Sequence, residues 1–526
     1  MSRELIQALQ DPECYDHPVS DFELHETHIS WVLLTGEYAY KIKKSLDFGF
    51  LDFSTLEQRR HFCAEEVRLN RRLAPDLYLE VVPITGSAAA PTLGGEGEPF
   101  EYAIRMQQFD TSQMLDRLQE EGRLEVVHLD ALADQLADFH QGLPATREQT
   151  LGSPARVRAD AEENFEQILA LLDDPQQRDQ LERLAAWTRE TFERLEPQLT
   201  RRHREGHVRE CHGDLHLANI VLYHGEVTVF DCIEFNDGLR WIDTSNDLAF
   251  LLMDLEHRGE TELANRVLNR YLQGYGDFDC LPLLDFYKAY RATVRAKIAL
   301  LTCGSANLDA TERARLLDTY QSYIDLAERY AQPRQPYLLV TTGVSGSGKS
   351  WLSQRLSASL GLLWLRSDVE RKRLFGLTPL ADSHARPDLN LYTPEATRDT
   401  YRRLVDLAAK ALMAGYPVIV DSAALARAQR DQLIEVARAQ GVPYLLLECR
   451  AAEEQLRQRL RGRAAAGGDP SEADEQIMER QQADARPLAE AEQAYSLRVE
   501  TVDLGDAEPV ARQIRERLLA TQVTHP

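Results

Sequence analysis

One eight-residue stretch, Gly343-Val-Ser-Gly-Ser-Gly348-Lys349-Ser350, constrains this 526-residue chain more than any other. It matches GxxxxGK[ST], follows the apolar run YLLVTT (337–342) and precedes the amphipathic WLSQRLSASL, so it reads as strand, loop and helix. Glycines let successive backbone N–H groups face one anion, and the helix N-terminus adds a favourable field. Gly343, Ser345, Gly346, Ser347 and Gly348 are expected to wrap phosphate oxygens, Lys349 to reach the outer phosphates and Ser350 to ligate Mg2+. Further apolar runs at 362–367, 417–421, 443–449 and 499–504 alternate with helical patterns, which predicts an α/β, parallel, doubly wound sheet of the P-loop NTPase kind.

Two of these runs end in chemistry. The second closes on Ser367-Asp368-Val-Glu-Arg371, at the strand end where open α/β sheets bind ligands. Asp368 there can accept a proton from a hydroxyl, or it can simply cap the next helix. The third closes on Asp421, suited to a Mg2+-bound water or to a substrate. Arg457, Arg459, Arg461 and Arg463 then precede a Gly-rich break, RAAAGGDPSEAD (463–474). They read either as a lid carrying arginines, Arg461 among them, onto the transferring phosphate or as a solvated basic face.

Charge divides the chain where the pattern does. The net charge is −25. Residues 337–526 hold 25 Lys+Arg, 22 of them Arg, against 26 Asp+Glu, whereas 1–336 hold 35 against 59. The acidic body repels nucleic acid and anionic membranes, and the near-neutral, arginine-rich remainder suits phosphate contacts. The two prolines of AQPRQP (331–336) mark the boundary, giving domains 1–332 and 337–526. Apolar runs such as LAFLLMDL (248–255) fall far short of the ~20 residues of a membrane span. The N-terminus lacks a signal-peptide core, and seven scattered cysteines without CxxC fit a reducing cytoplasm.

Upstream, residues 22–43 alternate as a meander, turning at Thr35-Gly36-Glu37. Ser54 and Glu57 suggest a capping box opening a helix to Leu73. Strands near 78–84 and 101–108 are joined through a Gly/Ala/Pro-rich excursion (86–99), and mostly helical periodicity follows from 125. A small β-rich lobe before a larger helical lobe is α+β. His212-Gly213-Asp214-Leu215-His216-Leu217-Ala218-Asn219 is followed by IVLY, a turn, VTVF and Asp231. An acid and an amide five residues apart, then an acid after a hairpin, is the arrangement phosphoryl transfer needs. Asp214 would engage a substrate hydroxyl while Asn219 and Asp231 hold Mg2+.

The HGDLHLAN…VFDCIEF pattern resembles the aminoglycoside phosphotransferase and choline-kinase superfamily, a branch of the protein-kinase-like fold. The resemblance spans roughly residues 20–330 and implies Asp214 as base and Asn219 and Asp231 as Mg2+ ligands. His212 and His216 would stabilise the loop, and Asp243 and Asp247 would be structural. It also implies a strand lysine, Lys41 with Lys43 as the alternative, and a helix glutamate, Glu66 or else Glu65. One departure stands out: the phosphate-covering turn falls on Glu26-Thr27-His28-Ile29-Ser30, without glycine. Residues 337–526 resemble small P-loop kinases, the polynucleotide 5′-kinase, gluconate-kinase and zeta-toxin-like group. That likeness makes Asp368 the general base and Arg371 the residue orienting substrate.

Together these readings predict a cytoplasmic fusion of two ATP- and Mg2+-dependent kinases acting on small hydroxyl compounds rather than on nucleic acid. The alternative is a nucleotide-gated regulator, in which the N-terminal domain senses a ligand or restrains a toxin-like C-terminal kinase.

Overall fold

The computed structural model describes residues 3–524 except 50, 305–307, 384–388, 390, 467 and 502–504. Its contacts fall into two compact units, one of Met1–Ala131 and Phe139–Asp254, the other of Leu132–Asp138 and Leu255–Pro526.

The first unit opens with an antiparallel sheet of β1 (Glu23–Glu26), β2 (Ser30–Leu34), β3 (Tyr38–Lys43), β4 (Tyr78–Ser87), β5 (Ala90–Leu93) and β6 (Glu101–Gln107), in the order β1-β2-β3-β6-β4-β5. The expected excursion at 86–99 contains β5, which folds back on β4. Alternation along β3 sends Ala39, Lys41 and Lys43 to one face and Tyr40 and Ile42 to the other. Ile42 packs with Trp31, Leu33 and Ala103 on one side, and Ala39 with Cys63 and Val67 of the Leu56–Asn70 helix on the other. That helix starts one residue later than the Ser54/Glu57 pattern suggested and ends at Asn70, short of Leu73. Thr55 Oγ1 accepts from the Gln58 amide, and the Thr55 amide donates to Gln58 Oε1. Gln58 also donates to Asp52, which selects it over Glu57.

Helices Pro154–Leu169 and Pro175–Glu205 follow, each with proline in its first turn behind a Ser153 or Asp174 cap. Two short ladders then present the Asp214 loop. β7 (Val208–Glu210) pairs with β10 (Trp241–Asp243), and β8 (Ile220–Tyr223) with β9 (Glu226–Val229). This α+β, protein-kinase-like arrangement is the one expected.

In the second unit the strands are parallel, β11 (Leu338–Thr342), β12 (Leu363–Arg366), β13 (Val418–Asp421), β14 (Tyr444–Arg450) and β15 (Ser496–Glu500), in the order β12-β13-β11-β14-β15. The last strand lies earlier than the predicted 499–504, and 502–504 lie outside the described residues. Strands such as β11 are buried throughout because helices cover both faces of a parallel sheet. Leu339, Ile419 and Leu447 pack on Leu352 and Leu356 of the Lys349–Leu360 helix and on Ala511 and Ile514 of the Glu508–Thr524 helix. Helices Thr261–Tyr275, Leu281–Cys303 and Ala310–Tyr330 belong to the same unit. No helix among the described residues is long and apolar enough to cross a membrane.

Candidate active site

Each unit gathers its own set of charged groups. In the first, Lys41 extends from β3 between two acids, with Nζ 2.7 Å from Glu66 Oε1 and 2.6 Å from Asp231 Oδ1. Burial alone would push the Lys41 ammonium down, but Asp231 and Glu66 more than offset it and hold it well above the usual lysine range. Glu66 is fully buried, and its second oxygen meets Lys43 Nζ at 2.5 Å. Burial would raise the Glu66 carboxyl, yet the two lysines keep it well below its ordinary value. Lys43 is fully buried too, and its ammonium also pairs with Glu234. Burial raises Glu234, which must share Lys43 with Glu66. Glu65 points elsewhere, onto Arg68.

Asp231 follows β9 with φ +62°, a left-handed conformation that turns its side chain toward Lys41. Its amide donates to the hydroxyl oxygen of buried Tyr78 at 3.3 Å. Asp214 is partly exposed, and Asn219 Nδ2 donates to both its backbone and its carboxylate oxygen at 3.0 Å. With its nitrogen so used, Asn219 has its Oδ1 as the atom able to coordinate a cation. The Phe230 amide donates to the Asn219 carbonyl at 2.9 Å, which ties the Asn219 backbone to the residue preceding Asp231. His216 Nε2 lies 3.3 Å from Asp214.

The loop rests on Asp247. Its oxygens accept from the His212 and Gly213 amides at 3.0 and 2.9 Å, and His140 Nε2 lies 3.2 Å away. Asp243 is paired with the buried Arg202. Burial would raise Asp247, but His140 and the loop amides hold its carboxyl down to about 2. A depressed folded pKa contributes stability that is complete above the unfolded value of about 3.9 and drains away as pH falls toward 2. Asp247→Asn is therefore expected to flatten the stability profile between pH 4 and 2, measured by urea unfolding across that range.

The glycine-free turn is a tight hairpin. The Thr27 amide donates to the Ser30 carbonyl, and Thr27 Oγ1 accepts from the Ser30 amide at 2.9 Å. Lys44 Nζ lies over the same turn, 2.6 Å from the Thr27 carbonyl oxygen.

In the second unit the Gly343–Ser350 loop joins β11 to the Lys349–Leu360 helix. Gly343 (φ +146°) and Gly348 (φ +83°) carry conformations that L-residues avoid. A Cβ on either would sit 2.6 Å from the Cys449 carbonyl oxygen or 2.8 Å from Thr501 Oγ1. Ser345, Gly346, Gly348, Lys349 and Ser350 line a cleft of about 600 Å³, while Ser347 is buried beneath it. The Ser345 amide donates at 2.7 Å to Oε1 of Gln481, which also lines the cleft. Lys349 Nζ donates to the Val344 carbonyl at 2.8 Å, and burial lowers its pKa against the pull of Asp421.

Asp421, Asp368 and Arg371 line the same cleft. Burial raises the Asp421 carboxyl, which is hydrogen-bonded to Ser350 and, at 3.2 Å, to Trp364 Nε1. Asp368 is not a cap: the Ser367–Leu374 helix starts from Arg366, and Asp368 lies in its first turn. Arg371 Nη1 donates to the Leu391 carbonyl at 2.8 Å, whereas its buried Nε has no hydrogen-bond acceptor among the described residues.

Arg461 is not in the cleft. On the Glu453–Ala466 helix, residues two apart lie on opposite sides and residues four apart share one. Arg457 and Arg461 therefore pair together with Glu475 on the outer side, Arg461 being 73% exposed. Arg459 and Arg463 face the cleft, and Arg459 donates to the Gly346 carbonyl at 3.2 Å.

The family model "Phosphotransferase enzyme family" matches residues 53–287, and the model "AAA domain" matches 338–488. An uncharacterized protein of Mycobacterium tuberculosis (strain H37Rv) is 31% identical over 415 residues, 78% of this chain and 80% of that protein. Among solved structures, a choline/ethanolamine kinase family protein from Mesorhizobium loti is 12% identical, covering 62% of this chain and 98% of that one, TM-score 0.36. A gluconokinase from Sinorhizobium meliloti is 21% identical, covering 35% and 91%, TM-score 0.25. The chain belongs to the family of the mycobacterial protein, with a phosphotransferase-family segment followed by a P-loop, kinase-like segment.

Proposed function

We propose that the chain is a double kinase, with catalytic domains 1–332 and 337–526, each transferring the γ-phosphate of ATP to the hydroxyl of a small molecule. The observation that carries this reading is the convergence on Lys41, which meets Glu66 from its own lobe and Asp231 from 190 residues away. An idle sensor would have no need of Asp214, Asn219 and Asp231 together, which favours two catalytic centres over a regulator.

In the first domain Lys41 holds the ATP phosphates, with Glu66 keeping it extended and charged. Asn219 Oδ1 and Asp231 hold Mg2+, and Asp214 accepts the proton of the attacking hydroxyl. In the second, the loop amides and Lys349 hold the phosphates, Ser350 and Asp421 hold Mg2+, Asp368 is the base and Arg371 orients the acceptor. Mg2+, when bound, offsets negative charge on the phosphates. The closed Thr27 turn gives the first domain a weaker grip on phosphate than the Gly343–Ser350 loop gives the second.

Calorimetric titration with a non-hydrolysable ATP analogue and Mg2+ tests this. Two sites of unequal affinity are expected, with Lys349→Ala removing the tighter and Asp231→Ala the weaker. A single site lost with Lys349→Ala and untouched by Asp231→Ala would overturn the double reading.

A further inference from the structure

β12 is an edge strand, and an edge presents unpaired backbone groups that a protein must cover. Here side-chain amides of the Thr261–Tyr275 helix supply the cover, with Asn269 making two of the bonds and Asn265 Nδ2 a longer one of 3.4 Å to the Leu362 carbonyl. Asn269, buried in the Thr261–Tyr275 helix, donates from Nδ2 to the Leu362 carbonyl at 2.9 Å and accepts the Trp364 amide on Oδ1 at 2.7 Å. Its amide thus does for β12 what the peptide of a neighbouring strand would do. Asn265, one turn earlier, donates to the Ser357 carbonyl in the helix that follows the phosphate loop. This helix lies inside the segment matched by the phosphotransferase family, yet it packs in one compact unit with the P-loop sheet.

The residue so held reaches the site. Trp364 pairs in register with Ile419 of β13, two residues before Asp421, and its ring packs in the core with Leu352 and Leu356 beneath the loop's helix. The indole N–H donates to Asp421 Oδ2. The Arg366 guanidinium stacks on the outer face of the ring, 4.6 Å from its centroid. One carboxylate oxygen of Asp421 is therefore occupied by a donor that cannot rotate away, because the ring is fixed by packing and its backbone by Asn269.

We propose that Trp364, seated by Asn269, is a positioning residue for Asp421, so that the Thr261–Tyr275 helix is a working part of the P-loop centre. Trp364 ties down Oδ2 and leaves the other oxygen directed for Mg2+ beside Ser350. The proposal rests on the reading of Ser350 and Asp421 as Mg2+ ligands. Groups that orient a metal ligand from behind change metal affinity by roughly 10- to 100-fold when removed.

The test uses the full chain with Asp231→Ala, which removes the first domain's metal carboxylate, and follows binding of a non-hydrolysable ATP analogue as Mg2+ is titrated. Trp364→Phe keeps the ring and deletes the donor. It is expected to raise the Mg2+ midpoint at least tenfold while leaving metal-free analogue affinity within about twofold. Asn269→Ala, which leaves the indole in place but frees its strand, is expected to shift the midpoint the same way by a smaller factor. A melting curve accompanies each variant, and Asn269→Ala carries the test if Trp364→Phe unfolds. An unchanged midpoint in a folded variant overturns the proposal. So does a loss of metal-free and metal-dependent binding in equal proportion, which marks a purely structural role. Asp421→Asn separates the two layers. If it too leaves the Mg2+ midpoint unchanged, the metal reading fails, whereas if it alone shifts the midpoint, only the role of Trp364 and Asn269 fails.

Discussion

Replacing Asp214 with Asn in a Lys349→Ala background is expected to lower kcat of the remaining turnover by about 10²–10⁴-fold, the usual contribution of a positioned general base. The substitution keeps the shape and still accepts from Asn219 Nδ2, so the loop stays in place. KM for ATP should move less than about threefold, because Lys41, Asn219 and Asp231 are untouched. The measurement is steady-state phosphate transfer against ATP and acceptor separately. A rise in KM for ATP with kcat unchanged would make Asp214 a ligand-binding residue instead.

Glu66→Ala is expected to be the most damaging single change to stability in the first unit, at about 3–5 kcal/mol. Glu66 is the only carboxylate among the described residues that meets both Lys41 and Lys43, and all three side chains are largely or wholly buried. Removing it leaves two ammonium groups facing each other with Asp231 and Glu234 alone to offset them. Glu66→Gln keeps a hydrogen-bonding side chain of the same size and should cost less. Equilibrium urea unfolding of both variants checks this, and a loss below about 1 kcal/mol for Glu66→Ala would mean that water reaches the cluster.

Much of this arrangement was legible from the sequence because its signals are local. The phosphate loop, the Asp214–Asn219 spacing and the alternation of strands with helices are each readable within about thirty residues, and each lies on the expected element. Where the reading stayed open, tertiary depth decided. Lys41 and Lys43 share a strand face, so period-two alternation cannot rank them, and only the cover of Phe53 and Glu234 makes Lys43 the inner one. For Arg461 the signal was present but unused, since the helical period alone separates it from Arg459 and Arg463. Trp364 and Asn269 gave no local sign. Their bond spans 95 residues, and an apolar run ending in an acid reads the same with or without it.

The most direct test of the double-kinase account is ATP consumption with Mg2+, without an acceptor and then with pooled sugars, polyols and amino alcohols. Wild type is compared with Asp214→Asn, Lys349→Ala and the double variant. The account predicts that each single substitution removes a separate acceptor-dependent share and that the double variant removes both. If Lys349→Ala abolishes every share while Asp214→Asn changes none in any pool, the first domain is not a kinase, and the account is contradicted.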